Sequence, residues 1–406
     1  MSSLPDELVV NVLSRLPVKS ISLFRCVSKS WCNLFSDPAF INTHLNHAIE
    51  RNNFRIILKR CYLYSINFGA SSKSSSPSSC DDDDDEEEEE EAVEIDFPFK
   101  SGRFKVDILS SYNGLVCISP DKDKFDVICI WNPSTKEYKK LSTPLPVIKF
   151  PFLPRGLRDV GYGFGYDRKI EDYKLVRILH IYGSGSEVEV YTLGSNSKKS
   201  IGHIPYELDF PSQTGVFVNA TLHWIATPAT YFGHRGSPVI ISFDIVDQRF
   251  QEVPQPEEPL DYDNNEFYVR TVGVLRGCLC LLGCLNMVCV DVWVMKDYGA
   301  RDSWTKLFTI NAQQTVIKHF NSLTLVQSFK SGEVLLQKDC NTLVLYDPKR
   351  ERARFIKIRG FHQKCFKIET YIESLVSLNS GTYLGQEKID EEAMVDISHY
   401  KKLKLK

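Results

Sequence analysis

Two hydrophobic periods divide the chain. Between residues 4 and 48 apolar side chains recur every three or four positions, the spacing that collects them on one face of a helix. Pro5 suits a first helical position, where its missing N–H would lack a partner anyway, and Asp6 and Glu7 place negative charge where the helix dipole favours it. Leu8, Val9, Val12, Leu13 and Leu16 make the first apolar stripe, and Pro17 disfavours the α conformation at Leu16, so the first helix is expected to end there. A second stripe of Leu23, Phe24 and Val27 precedes Ser28 and Ser30, either of which can cap a third helix carrying Trp31, Leu34 and Phe35. Asp37 and Pro38 open a fourth, with Phe40, Ile41, Leu45 and Ala48 on its apolar face.

Four brief helices in about 45 residues bury too little surface to be secure alone, and units near 40 residues usually lean on a disulfide, a metal or a partner. Leu4, Leu8, Leu13, Leu16, Val18 and Trp31 exceed what so small a bundle can cover. Two readings stay open: a docking surface for a foreign subunit, or a helical cap on the protein's own larger domain.

From about residue 98 the period becomes strand-like, with short Val, Ile, Leu, Tyr and Phe runs between Gly, Asn, Asp, Ser and Pro clusters. A hairpin strand ending in an aromatic residue recurs, at Trp131, Tyr191, Phe243, Trp293 and Tyr346, spaced by 60, 52, 50 and 53 positions. A period of roughly 50 belongs to kelch-like propeller blades, four-stranded sheets that need neighbours to cover both faces. Leu63-Tyr64-Ser65-Ile66 reads as an earlier copy once an acidic insert is set aside, which makes six. The last strand pattern, from Tyr371 to Leu378, is expected to join the strands around residues 56–66 and close the ring, removing open sheet edges. An open β-sandwich is the alternative.

Of 52 acidic residues, 11 form one block, Asp81 to Asp85 and Glu86 to Glu91; the other 41 face 49 bases, an excess of about eight positive charges. That excess is scattered apart from Lys401, Lys402, Lys404 and Lys406, which is not the footprint of a nucleic-acid binder. Residues 71–95 combine Ser with the acidic block and contain little that is apolar, so they are expected to be a disordered, solvated loop. The start lacks a basic n-region and an apolar h-region, and the longest apolar stretch, near residues 277–290, is interrupted by Asn286 and falls short of the roughly 20 residues of a membrane helix. With neither secretion nor a membrane indicated, the cytoplasm, the nucleus or both are expected, the 12 cysteines should be reduced thiols, and the Asn219-Ala220-Thr221 sequon has no glycosylation role.

No catalytic constellation appears. Gly161, Gly163 and Gly165 lack dinucleotide-binding spacing and read as a turn and bulge. Cys278, Cys280, Cys284 and Cys289 alternate with leucines as core thiols do, without a C-x-x-C pair. His223, beside Trp224, reads as a structural hydrogen-bonder. No metal, cofactor or enzymatic activity is expected, although a propeller-fold enzyme remains the alternative of a different class, since fold alone excludes no chemistry.

The run Leu4-Pro5-Asp6-Glu7-Leu8, then Leu13-Ser14-Arg15-Leu16-Pro17-Val18-Lys19-Ser20, then Phe24-Arg25-Cys26-Val27-Ser28-Lys29-Ser30-Trp31, resembles the F-box of plant proteins. The resemblance implies a mainly β protein with a small helical F-box (1–47) that docks on a Skp-type adaptor and, through it, a cullin. The adaptor-facing positions would be Leu4, Pro5, Leu8, Leu13, Leu16, Pro17, Val18, Leu23, Cys26, Val27, Lys29 and Trp31. Asn113-Gly114-Leu115-Val116, Trp131-Asn132-Pro133-Ser134, Gly163-Phe164-Gly165-Tyr166-Asp167 with Asp172-Tyr173-Lys174, Leu222-His223-Trp224, and Asp291-Val292-Trp293-Val294-Met295 with Ser303-Trp304 resemble, in order, the F-box-associated domain, here a six-bladed propeller over 48–392 before a basic tail at 393–406. The resemblance implies the non-catalytic substrate receptor of an SCF-type ubiquitin ligase. The tract 290–310 is similar to F-box repressors of plant immunity that act by receptor turnover, while self-incompatibility F-box receptors share the architecture. Because loops carry recognition, a target protein is expected at 144–160, at 228–238 with Tyr231, Phe232, His234 and Arg235, or at 256–268.

Overall fold

The computed structural model describes residues 5–60, 62–68, 88–100, 106–120, 127–143, 160–181, 184–209, 214–229, 237–256, 268–285, 288–359 and 365–379. Helices come first: α1 (Asp6–Leu13), α2 (Val18–Phe24), α3 (Lys29–Leu34) and α4 (Pro38–Glu50). Pro5 and Pro17 stand at the N-caps of α1 and α2. Ser28 Oγ accepts the Trp31 N–H at 3.2 Å, and Asp37 Oδ1 accepts those of Ala39 and Phe40 at 2.8 and 3.1 Å. α1 stops at Leu13 rather than Leu16, because the next turn tightens: the N–H groups of Arg15 and Leu16 bond the carbonyls three residues back. No helix among the described residues is long and apolar enough to cross a membrane.

Six sheets follow, antiparallel throughout their four main strands, each beginning at its innermost strand. Blade 1 contains Lys367–Ile372, Phe54–Lys59, Leu63–Ile66 and Val93–Glu94; blade 2 contains Val106–Tyr112, Leu115–Pro120, Val127–Trp131 and Tyr138–Ser142. Blade 3 contains Val160–Asp167, Asp172–Ile181, Gly185–Thr192 and Ser197–Ile204. Blade 4 has a split first strand, Tyr206–Leu208 and Val216–Val218, then Thr221–Pro228, Val239–Asp244 and Arg249–Val253. Blade 5 contains Tyr268–Leu275, Cys278–Leu285, Cys289–Met295 and Trp304–Asn311; blade 6 contains Leu323–Ser328, Val334–Lys338, Thr342–Asp347 and Arg352–Arg359. The recurring aromatic residues and the early copy at Leu63–Ile66 all fall on third strands. The propeller therefore has six blades. Six apolar clusters occupy its six seams, so each sheet is covered by its two neighbours rather than by a central core.

The ring closes where the chain's two ends meet: Phe54 to Lys59 pair antiparallel with Ile372 to Lys367. The closing strand thus lies earlier than the expected Tyr371 to Leu378. Residues 373–379 instead cross blade 2, held by side chains that no strand period reveals. Asn132 Nδ2 donates to the carbonyls of Ser374 (3.1 Å) and Val376 (2.8 Å), while Glu137 Oε2 accepts the Leu378 N–H at 2.9 Å.

Two further expectations are corrected. Gly161, Gly163 and Gly165 form no turn but lie in the innermost strand of blade 3; a Cβ on Gly163 would come within 2.7 Å of Trp224, so the glycine permits the close approach of blade 4. The acidic insert is not wholly a solvated loop. Residues 71–87 lie outside the described residues, but Glu88–Glu91 adds a parallel fifth strand to the outer edge of blade 6, and Val93–Glu94 completes blade 1. The receiving strand carries Arg352, Arg354, Lys357 and Arg359, a charge complement that composition within the insert cannot show.

Candidate functional site

The four helices have a core of their own. Leu13, Val18, Ile21, Phe35 and Phe40 are buried together, and Leu375 of the C-terminal segment completes the cluster. Trp31 sits half-buried between Phe24 and Phe35, with ring centroids 5.6 and 6.0 Å away in edge-on arrangements. Leu45 of α4 faces the other way and packs into the seam between blades 2 and 3, and Ile41 touches both that seam and the helical core. Within the helical unit α4 is tied to the turn between α1 and α2: His44 Nε2 meets the Leu16 carbonyl at 2.9 Å, Ser14 Oγ meets His47 Nδ1 at 3.1 Å, and Arg51 donates to the Arg15 carbonyl at 2.9 Å. Burial of His44 lowers its pKa, which favours the neutral imidazole.

This arrangement separates the twelve residues expected to meet an adaptor. Leu4 lies outside the described residues. Leu13 and Val18, expected on the surface, are 5% and 2% exposed and lie in the core of the helical unit, with Leu16 and Trp31 half-buried beside them. A foreign subunit could not reach Leu13 or Val18 without opening that core. Pro5, Leu8, Pro17, Leu23, Cys26, Val27 and Lys29 are exposed. Leu8, Leu23 and Val27 stand 54%, 67% and 66% exposed, and Val12, which the stripe grouped with buried residues, is 61% exposed. Leu8 and Val12 are four apart on α1 and so share a face. These four are among the five most exposed large hydrophobic residues described. The first apolar stripe was therefore two faces, one closing on the protein and one open to solvent; its width of five residues in nine was the available signal.

Elsewhere, of the histidine and cysteine side chains singled out by their sequence pattern, His223, Cys280 and Cys284 are buried in the blades. His223 is fully buried, its Nδ1 3.2 Å from the Val216 carbonyl and its Nε2 2.7 Å from Tyr298 Oη, and burial lowers its pKa to about 4. It is neutral at physiological pH and has no exposed edge from which to move a proton. Cys280 and Cys284 are buried in the second strand of blade 5, with the Cys280 thiol pushed up by desolvation. Among the described residues no three His, Cys, Asp or Glu side chains are grouped to hold a metal ion. Asp167 and Lys174 form a buried ion pair at 2.6 Å, and Lys174 also donates to the Ile245 carbonyl at 2.9 Å, tying blade 3 to blade 4. Tyr231, Phe232, His234 and Arg235 lie outside the described residues, as do most positions of the other two expected target-binding loops.

Comparison with known proteins agrees with this division. Residues 63–380 match the F-box associated beta propeller domain, and residues 1–43 match the F-box domain. The chain is similar to the F-box protein CPR1 of Arabidopsis thaliana, with 28% identity covering 96% of this chain and 94% of that protein. It is also similar to an F-box/kelch-repeat protein of the same plant, with 28% identity covering 93% and 96% respectively.

Proposed function

Because the chain belongs to the F-box proteins that carry an F-box associated beta propeller domain, we propose that it is the substrate receptor of an SCF-type ubiquitin ligase. In this role the helices dock on a Skp-type adaptor, and through it a cullin, while the propeller holds the target. The ubiquitin chemistry belongs to other subunits, so this chain needs no nucleophile of its own. The observation that carries the reading is the exposure of Leu8, Val12, Leu23 and Val27 on a helical unit whose core is already closed by Leu13, Val18 and Leu375. Apolar side chains open to water beyond a completed core mark a contact surface. The resemblance read in the tract 290–310 makes immune-receptor turnover the pathway of this proposal.

The test is adaptor pull-down with Leu8→Arg combined with Leu23→Arg. Both side chains are solvent-facing, so the expected result is at least a tenfold loss of adaptor capture with an unchanged melting temperature. Full capture by that variant would overturn the assignment. Leu13→Ala is the contrasting control, expected to lose capture only in step with helical unfolding. Target capture with ubiquitin transfer blocked, in a strain carrying the intact chain, separates an immune receptor from a pollen self-incompatibility target.

A further inference from the structure

We propose that the outer edge of blade 6 is a strand-addition site for a partner segment alternating acidic and aliphatic residues, and that the chain's own Glu88–Glu91 is an imperfect occupant of it. Glu88–Glu91 runs parallel to Arg352–Arg359, with Glu88, Glu89, Glu90 and Glu91 opposite Ile356, Lys357, Ile358 and Arg359. Side chains alternate across a strand, so this register has two halves with different chemistry. Lys357 and Arg359 are exposed, and Glu91 stands opposite Arg359, an arrangement of opposite charges that favours pairing. Ile356 is buried and Ile358 half-buried in the apolar seam shared with blade 1, where Ala92 also packs. Opposite these isoleucines the occupant offers two more glutamates.

The mismatch has a measurable trace in Glu90, which stands opposite Ile358 with 5% of its surface exposed. Removing a carboxylate from water costs free energy even when it finds a partner. A strand with aliphatic residues at these two positions would keep the charge match and exchange the polar interaction that Glu90 makes, with its desolvation, for apolar contact in the seam. Strand addition at a sheet edge draws affinity from main-chain hydrogen bonds and specificity from alternate side-chain positions. The edge therefore selects Val-Glu-Val-Glu-like sequences over polyglutamate. This site lies on the propeller, so it stands apart from the adaptor contact and can fail or hold without it.

The test uses the full chain and the labelled peptide Thr-Val-Glu-Val-Glu-Val-Glu-Thr, with binding followed by fluorescence anisotropy. The peptide is expected to bind at least tenfold tighter than an all-glutamate octamer, and at least fivefold tighter still when residues 88–91 are replaced by Gly-Ser-Gly-Ser. Glu88→Val with Glu90→Val is expected to improve the internal occupant, weakening peptide binding at least fivefold and slowing hydrogen exchange across residues 356–359. Lys357→Glu with Arg359→Glu is expected to abolish binding while the chain keeps the far-ultraviolet circular dichroism of a folded propeller. Equal binding by a peptide N-methylated at alternate residues would show charge attraction without strand pairing and overturn the proposal. So would a peptide affinity indifferent to Glu88→Val with Glu90→Val.

Discussion

Asn132 is fully buried, and its amide is committed at both ends: Oδ1 accepts the Ser134 N–H at 2.9 Å, while Nδ2 serves the Ser374 and Val376 carbonyls. Asn132→Ala removes the donor and leaves two carbonyls to find other partners. A buried group left unsatisfied costs roughly 1–3 kcal/mol, so a loss of about 2–4 kcal/mol is expected in urea unfolding. A loss within experimental error would mean that residues 373–379 are not held by this side chain. Gly114 tests the same contact from the other side. Its φ is +83°, and an added Cβ would overlap Ser374 Oγ and the Ile372 carbonyl, so Gly114→Ala should destabilise through both backbone strain and displacement of the segment. Combined with Asn132→Ala, the cost should fall short of the sum, because both changes release one element; strict additivity would show two separate effects. Thus Asn113-Gly114 and Trp131-Asn132, two of the phrases that carried the family resemblance, hold the chain's C-terminal segment.

Among the elements, the closing strand Lys367–Ile372 carries the feature most sensitive to solvent conditions. Glu369 accepts a hydrogen bond from Ser111 at 2.9 Å and retains partial solvent contact, yet protein surrounds it so fully that desolvation raises its pKa to about 7, against the opposing influence of Ser111 and Lys367. An acid whose pKa is raised by folding holds its proton more tightly in the native state. Its contribution to stability is therefore greatest below the ordinary carboxylate range, declines as pH rises toward 7, and is lost above. Between pH 5 and 8 the full chain is expected to lose stability from this group, and Glu369→Gln should remove that component and raise the melting temperature at pH 8. Parallel pH profiles for the two proteins would refute the assignment. The strand is also the closure of the ring, so loosening it should be felt in both blade 1 and its seams.

At the scale of the molecule, the helical unit and the propeller are coupled through a segment belonging to neither. Residues 373–379 bind blade 2 through Asn132 and Glu137, and place Leu375 in the helical core. Replacing residues 373–379 by a Gly-Ser linker should convert one calorimetric transition into two and weaken adaptor capture, although every exposed apolar residue of α1 and α2 is intact. A single unchanged transition would show the coupling to be carried by α4 alone. Helix number, the cap at Asp37, the blade repeats and the recurring strand that ends in an aromatic residue were legible in the sequence because they depend on local period and on turn chemistry. The split of Leu8 and Val12 from Leu13, the strand formed by Glu88–Glu91, and the roles of Gly163 and Asn132 were not. Each depends on a surface brought from far along the chain: Leu375 covers one side of α1, the basic edge of blade 6 meets the acidic run, Trp224 presses on Gly163, and the C-terminal carbonyls reach Asn132. Period and capping follow from neighbours a few residues away, whereas which face is covered is settled only when distant segments come into contact.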